Sequence, residues 1–210
     1  MRLGCMALVA AFAVIGGLAI GSAWMGSRML QEPEVLATAG KAEDGVRAQQ
    51  KIYDVLRGGA RRARGRAHQV ILSEAELNAF LARHLAEAAK VPLRLGAVRL
   101  VGDGIVEIKG DLPLGQLLSF AELLPAHWLE RPVWLHFGAR ASLEVGADRG
   151  QRRYLRLDIE RLALGRQPLP VMFLRLLLNP AILSQLRWRL PETVESITIE
   201  TQMVVIRTAS

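Results

Sequence analysis

The stretch VILSEAELNAFLARHLAEAAKVP, residues 70–92, decides the fold together with LRLGAVRLVGDGIVEIKGDL, residues 93–112. Ser73 and Glu76 form a capping box, in which each side chain binds a free backbone N–H of the other residue. A helix is therefore predicted to begin after Ser73 and to end before Pro92, because proline cannot continue a helix. The apolar residues of this helix recur at helical spacing and form one stripe: Leu77, Phe80, Leu81, Leu85 and Ala88.

After Pro92 the apolar period changes from helical spacing to two. Gly102-Asp103-Gly104 is typical of a hairpin turn, and Gly96-Ala97 suits a bulge. One set of alternate residues in the second arm is apolar or small and the other set is charged, so a half-buried antiparallel hairpin is predicted. The first set is Val106, Ile108, Gly110 and Leu112, and the second is Glu107, Lys109 and Asp111.

Further strands are expected on both sides of this unit: 68–72 before it, 132–146 and 151–164 after it, and a closing hairpin of 194–200 with 203–208. Helices are expected between them. The predicted fold class is α+β, with an N-terminal transmembrane helix followed by a curved antiparallel sheet packed on amphipathic and apolar helices.

The composition limits the classes of protein to which this chain can belong. The chain has 210 residues, a formal net charge of +7 and 51% hydrophobic residues, which excludes a disordered or collagen-like protein. One cysteine, Cys5, excludes an internal disulfide and a cysteine-based zinc site.

The N-terminus carries 25 uncharged residues between Arg2 and Arg28. About 20 apolar residues cross a bilayer as a helix, so residues 1–28 are predicted to be a membrane anchor with a short N-terminal stub. A cleaved signal peptide remains the alternative, because residues 21–23 are small. The expected location is a bacterial inner membrane, spanned once, with residues 29–210 on its outer face as part of the cell envelope.

Residues 29–67 are predicted to be a tether that contains a short helix over 46–56 and an arginine-rich linker. The linker includes Arg61, Arg62, Arg64 and Arg66. Two interpretations stay open for these arginines: a solvated linker, or a surface that attracts anionic lipid headgroups. Nucleic-acid binding is not expected, because no recognition helix or aromatic platform accompanies the charges. The remaining residues, 68–210, are expected to form the α+β domain.

Signatures of catalysis and of metal binding are missing from the sequence. It contains no nucleophile elbow, phosphate-binding loop or zinc-protease motif, and its four histidines have no ligand spacing. We therefore expect no catalytic residue, no metal and no cofactor.

The sequence contains more apolar helix than one sheet face obviously needs. Residues 114–124 and 171–188 are both predicted to be apolar helices, which would either fill the core or leave an apolar groove for acyl chains. The predicted lining of that groove is Leu117, Leu118, Phe120, Leu124, Phe173, Leu177 and Trp188.

The anchor, the run VILSEAELNAFL, the D-G hairpin, the corner LGRQPLP (164–170) and the final strand pair resemble bacterial single-pass envelope proteins of the YpmS and LmeA-like type. The resemblance covers about residues 46–208. It implies a fold similar to tubular lipid-binding domains, and binding of phospholipid by analogy. It carries over no catalytic residue.

The functional expectation is a membrane-anchored protein that binds or shuttles a lipid or another amphipathic ligand. The alternative is a non-catalytic scaffold or assembly subunit that uses the same apolar surface for a membrane-protein partner.

Overall fold

A computed structural model describes residues 2–61, 68–88, 94–113, 115, 130–146, 152–173 and 187–208. Within these ranges only the backbone is described for residues 2–13, 57–61, 68, 85–88 and 95. The helices are α1 (Arg2–Met29), α2 (Ala42–Arg61) and α3 (Glu74–Ala88), and Val171–Phe173 forms one 3-10 turn. The strands are β1 (His68–Ser73), β2 (Arg94–Gly102), β3 (Ile105–Pro113), β4 (Pro132–Val145), β5 (Arg153–Leu164), β6 (Gln167–Leu169), β7 (Arg187–Arg189), β8 (Val194–Glu200) and β9 (Met203–Thr208).

The strands form two antiparallel sheets. The small sheet has the order β1-β9-β8, and the large sheet has the order β2-β3-β4-β5-β6, with β7 also paired to β5. Helices and an antiparallel sheet in one domain confirm the α+β class. The closing hairpin of β8 and β9 has the predicted bounds.

The central hairpin of β2 and β3 is confirmed. Asp103 and Gly104 turn the chain with φ angles of 51° and 77°, a conformation that glycine and aspartate tolerate better than most residues. The register shifts between Leu95 and Ala97, where the bulge was predicted. The turn therefore fixes which residues of β3 face the core.

The capping box at the start of α3 is also confirmed. The Glu76 N–H donates to Ser73 Oγ at 3.2 Å, and the Ser73 N–H donates to Glu76 Oε2 at 2.9 Å. Leu77 and Leu81 of the apolar stripe pack on a cluster formed by β2, β3 and β8. The helix thus lies against the large sheet at the β2 side.

Alternation along β3, β4 and β5 gives the large sheet one apolar and one charged face. Leu135 pairs with Leu164 and Phe137 with Leu162, which places all four side chains on the same face. The buried cluster on this face is Leu112, Val133, Leu135, Phe137, Ala139, Leu162 and Leu164. The main core therefore lies on this side of β3–β5.

Residues 30–41, which we call the strap, pack against the domain, although they were predicted to belong to a tether. Val35 is 6% exposed, and a Cβ added at Gly40 would lie 2.1 Å from the Ala75 carbonyl oxygen. The predicted helix over 46–56 is longer than expected, because α2 begins at Ala42 and continues to Arg61. Its small and apolar residues Ala48 and Val55 are buried, which the charged composition of the region did not suggest.

The end of α1 is fixed to the corner between β5 and β6. The Arg166 N–H donates to the Arg28 carbonyl oxygen at 2.9 Å, and the Met29 side chain packs on the buried cluster. Gly165 has a φ of 56°, and a Cβ there would lie 2.3 Å from the Met29 carbonyl oxygen. Only glycine combines this backbone conformation with so close an approach.

One predicted apolar helix is corrected by the structure, and the other lies almost entirely outside the described residues. The predicted apolar helix 171–188 is not helical at its described end, because residues 187–189 form strand β7, and its start is a 3-10 turn. The predicted helix 114–124 lies outside the described residues, apart from residue 115. Over the residues whose side chains are described, none of the helices is both long and apolar enough to cross a membrane.

Candidate functional site: the interrupted edge of the large sheet

The large sheet has two outer edges, and the edge formed by β2 is closed by side chains of α3. The Val98 N–H donates to Asn78 Oδ1 at 2.7 Å, and Asn78 Nδ2 donates back to the Val98 carbonyl oxygen at 2.7 Å. The Leu100 N–H donates to Glu74 Oε2 at 2.7 Å. These side chains take the place of a neighbouring strand and leave the backbone at Val98 and Leu100 without free polar groups.

Glu74 and Asn78 also hold the strap. The second carboxylate oxygen of Glu74 accepts the Thr38 N–H at 2.6 Å, and Asn78 Nδ2 donates to the Thr38 carbonyl oxygen at 3.2 Å. Glu74 is only 3% exposed. A buried carboxylate that accepts two backbone N–H groups is a strong structural contact, so this cluster has a structural role.

The opposite edge, formed by β5, is interrupted. Strand β6 pairs with β5 over residues 162–164, and β7 pairs with it over residues 154–156. Residues 157–161 of β5 lie between them, and no described strand pairs with them on that side. Residues 170–186 connect β6 to β7 in sequence and contain six leucines, one isoleucine and one phenylalanine. The strands before and after this apolar segment thus pair with two separate parts of β5.

The apolar face of the sheet changes in burial along β5. At the α1 end Leu162 and Leu164 are 3% and 9% exposed, within the core cluster. Towards the β7 end the same face is continued by Leu155, Leu157 and Ile159, which are only half-buried. Trp188 lies beside Leu155 in register and is 45% exposed. An apolar surface therefore extends from the core along β5 to the interrupted edge beside Trp188.

The structure places two of the predicted groove residues at this edge. Phe173, 39% exposed, lies in the 3-10 turn that contacts β5, and Trp188 lies in β7 at the other side of the interruption. Leu117, Leu118, Phe120, Leu124 and Leu177 lie outside the described residues. So do Arg62, Arg64 and Arg66, while Arg61 is described only as backbone at the end of α2.

Sequence reasoning did not assign Leu143, Leu155, Leu157 and Ile159 to the site. Leu143 pairs with Leu155, so it shares the apolar face. Alternation of leucine and isoleucine with arginine and acidic residues already indicated that Leu155, Leu157 and Ile159 point to one side. What alternation alone could not show is that burial fades toward β7.

The other face of β5 carries ion pairs. Glu144 accepts from Arg156 at 2.7 Å and lies 3.4 Å from Arg187, and this hydrogen bond from Arg156 holds the pKa of Glu144 below its ordinary value. The Arg187 guanidinium stacks on the Tyr154 ring at 4.1 Å. Asp158 pairs with Arg156 at 2.7 Å, and Arg161 pairs with the buried Glu107 at 3.1 Å.

One histidine is set into this charged face. Burial lowers the pKa of His136, and its Nε2 atom has no hydrogen-bond partner among the described residues. At neutral pH the imidazole is therefore neutral. In the part of the chain that the structure describes, no group of histidines, cysteines and carboxylates could hold a metal ion.

Comparisons with models of known protein families, with curated proteins and with solved structures found no match.

Proposed function

We propose that this chain is a membrane-anchored envelope protein that binds or carries a lipid or another amphipathic molecule at the interrupted edge of its large sheet. One observation carries the proposal: the apolar face of β5 continues, half-buried, beyond the core to the exposed Trp188. Burial of a methylene group contributes about 0.8 kcal/mol, so an acyl chain would gain affinity along such a surface.

The open part of this surface can hold part of an acyl chain. A strand rises about 3.3 Å per residue, so the half-buried path along β5 from Leu155 to Ile159 is about 13 Å, before the face enters the core at Leu162. Phe173 and Trp188 lie on the two sides of the interruption and would contact the ligand where it meets solvent. Trp188 combines an apolar ring with one N–H donor, which suits the boundary between an acyl chain and water.

Anchoring in a membrane is part of the same proposal. It is supported by the uncharged stretch from Leu3 to Ser27 and by the exposed apolar side chains along α1, such as Ile15, Leu18 and Ile20. At the end of α1 the Arg28 guanidinium lies 4.9 Å from the Trp24 ring, a pair that suits the headgroup layer. We propose a single-pass inner-membrane protein with residues 29–210 on the outer face.

The test uses the full chain in dodecyl maltoside micelles that contain a phosphatidylcholine with a photoactivatable group on its acyl chain. After illumination and proteolysis, mass spectrometry locates the lipid adducts. We expect adducts on peptides covering residues 153–164 and 171–189, in addition to α1. Replacement of Leu157 by Asp should remove the adducts in both regions of the domain, because a carboxylate on the apolar face repels acyl chains.

Ile71→Asp is the matched control. Ile71 is 46% exposed on β1 of the small sheet, away from the interrupted edge, and its replacement should leave the adducts unchanged. Adducts confined to α1 would overturn lipid binding by the domain. A dominant protein adduct at the same peptides in native membranes would instead favour a scaffold that binds a membrane-protein partner there.

A further inference from the structure

Strand β7 carries the sequence Arg187-Trp188-Arg189 at the outermost position beside β5, and all three residues are exposed. Trp188 pairs with Leu155 and lies on the apolar face. Arg187 and Arg189 pair with Arg156 and Tyr154, so their side chains lie on the opposite, charged face. Among the described strands β7 pairs only with β5, so its apolar face and its charged face meet along its outer side.

Positive charge exceeds negative charge around β7. Arg187 and Arg156 share the carboxylate of Glu144, and Arg156 also pairs with Asp158. Arg189 has no ion pair with any residue that the structure describes. Arg153, next to Tyr154 on β5, donates to a backbone carbonyl oxygen at Val194 rather than to a carboxylate. On the charged face at this end of the sheet, the carboxylates of Glu144 and Asp158 therefore meet three guanidinium groups, those of Arg156, Arg187 and Arg189.

We infer that β7 binds an anionic, phosphate-bearing headgroup, with Arg187 and Arg189 as its ligands and the chain of the same molecule running past Trp188. The inference rests on the proposed function and makes it specific: the ligand is an acidic phospholipid rather than a neutral one. Guanidinium groups present paired N–H donors that match phosphate oxygens. The stacking of Arg187 on Tyr154 already fixes the orientation of one of these two guanidinium groups.

A contact with anionic headgroups was one of the two interpretations of Arg61, Arg62, Arg64 and Arg66. The arginines of β7 form a separate cluster, which lies at the proposed site itself. Both features of an amphipathic ligand are matched at β7. The tryptophan lies on the apolar face, and the surplus arginines lie on the charged face of the same three residues.

The experiment compares two photoactivatable lipids with identical acyl chains, phosphatidylglycerol and phosphatidylcholine, at equal mole fraction in micelles of the full chain. We expect at least five-fold more adduct on the peptide covering residues 187–189 with phosphatidylglycerol. The double variant Arg187→Gln with Arg189→Gln should remove that preference, mainly by lowering the labelling by phosphatidylglycerol, because the choline ammonium of phosphatidylcholine already offsets the charge of its own phosphate. Raising the salt concentration should weaken the preference in the same way, since screening reduces charge attraction.

The control is Arg94→Gln with Arg99→Gln, two exposed arginines on β2, which share the charged face but lie at the opposite side of the sheet from β7. It should keep the preference, and circular dichroism should show that both double variants are folded. Equal labelling by the two lipids, unaffected by the β7 variant, would overturn the headgroup site but leave lipid binding intact. No labelling of the domain by either lipid would defeat the proposed function instead.

Inorganic phosphate added as a competitor separates the sources of the anion. A phospholipid site should keep its labelling at millimolar phosphate, because the acyl chain contributes most of the affinity. Complete displacement by phosphate would show a site for free phosphate and would overturn the assignment to a lipid headgroup.

Discussion

The two edges of the large sheet are finished in different ways. At β2, Glu74 and Asn78 of α3 satisfy backbone groups of Val98 and Leu100 with hydrogen bonds of 2.7 Å. At β5, two strands of three residues each cover only parts of the edge, over the residues that the structure describes. An exposed strand edge attracts other strands, so closing β2 with side chains protects it without adding a strand. One edge is therefore closed by side chains, whereas the other is only partly paired, and the proposed binding site lies at this second edge.

Removal of Glu74 should have the largest effect on the closed edge. Glu74→Ala leaves the N–H groups of Thr38 and Leu100 without their partner, and hydrogen bonds to charged groups contribute about 1.5–3 kcal/mol each. We expect the free energy of unfolding of the full chain in micelles to fall by about 3 kcal/mol, measured by urea titration. Glu34→Ala is the control: that carboxylate is exposed and pairs with Arg166 at the surface, so its loss should change little.

The next effect should come from Asn78. Asn78→Ala removes the reciprocal pair of hydrogen bonds with Val98 and the contact with Thr38, for an expected loss of about 2 kcal/mol. Asn78→Asp keeps the acceptor for the Val98 N–H but places an oxygen against the Val98 carbonyl, so it should also destabilise the chain. If both variants unfold at the wild-type urea concentration, α3 does not close this edge.

At the open edge we expect the opposite result, with little loss of stability and a large loss of lipid labelling. Trp188→Ala is expected to cost less than about 1 kcal/mol of stability, because the side chain is 45% exposed and little packing is lost. The same substitution should reduce adducts of photoactivatable lipid at residues 187–189 several-fold. A large loss of stability with unchanged lipid labelling would reverse the contrast between the two edges.

A smaller effect on the free energy of unfolding is expected when a fall in pH protonates Glu76, at the start of α3. Burial raises the pKa of Glu76, but hydrogen bonds from the Lys51 ammonium at 2.7 Å and from the Ser73 N–H outweigh burial and hold the pKa below its ordinary value. A lowered pKa in the folded state contributes stability above the unfolded pKa, about 4.3 for glutamate, and this contribution is lost as the pH falls through the folded pKa.

Glu76→Gln should therefore flatten the decline in unfolding free energy between neutral pH and pH values below about 4. Urea titrations at several pH values measure this slope. An unchanged slope in the variant would show that Glu76 does not contribute to the acid sensitivity of the fold.

The local elements could be predicted from sequence, because their signals are local. Ser73 with Glu76 marked the start of α3, and the D-G turn with alternation marked β2 and β3. The closed edge could not be predicted, since Asn78 and Glu74 act on residues 20 and 26 positions away in sequence, and their partners are backbone groups without a residue signature.

The candidate site was only partly predictable for a related reason. Phe173 and Trp188 were expected at an apolar surface and lie on the two sides of the interruption. The expectation of one helix over 171–188 failed at its end, because pairing of Arg187–Arg189 with β5 outweighed helical periodicity. The arginines of β7 were missed since nothing in the linear sequence shows that Arg156, Arg187 and Tyr154 become neighbours.

The junction at Gly165 and Arg166 limits how far the domain can travel from α1. A flexible connection over residues 29–67 would give a reach of roughly 35 Å in any direction. Instead, hydrogen bonds join the end of α1 to the β5–β6 corner and the strap to α3. With α1 in a bilayer, the domain would therefore tilt and rotate together with its helix. A molecule held at the sheet edge would then be handed over only to a recipient that comes to this protein.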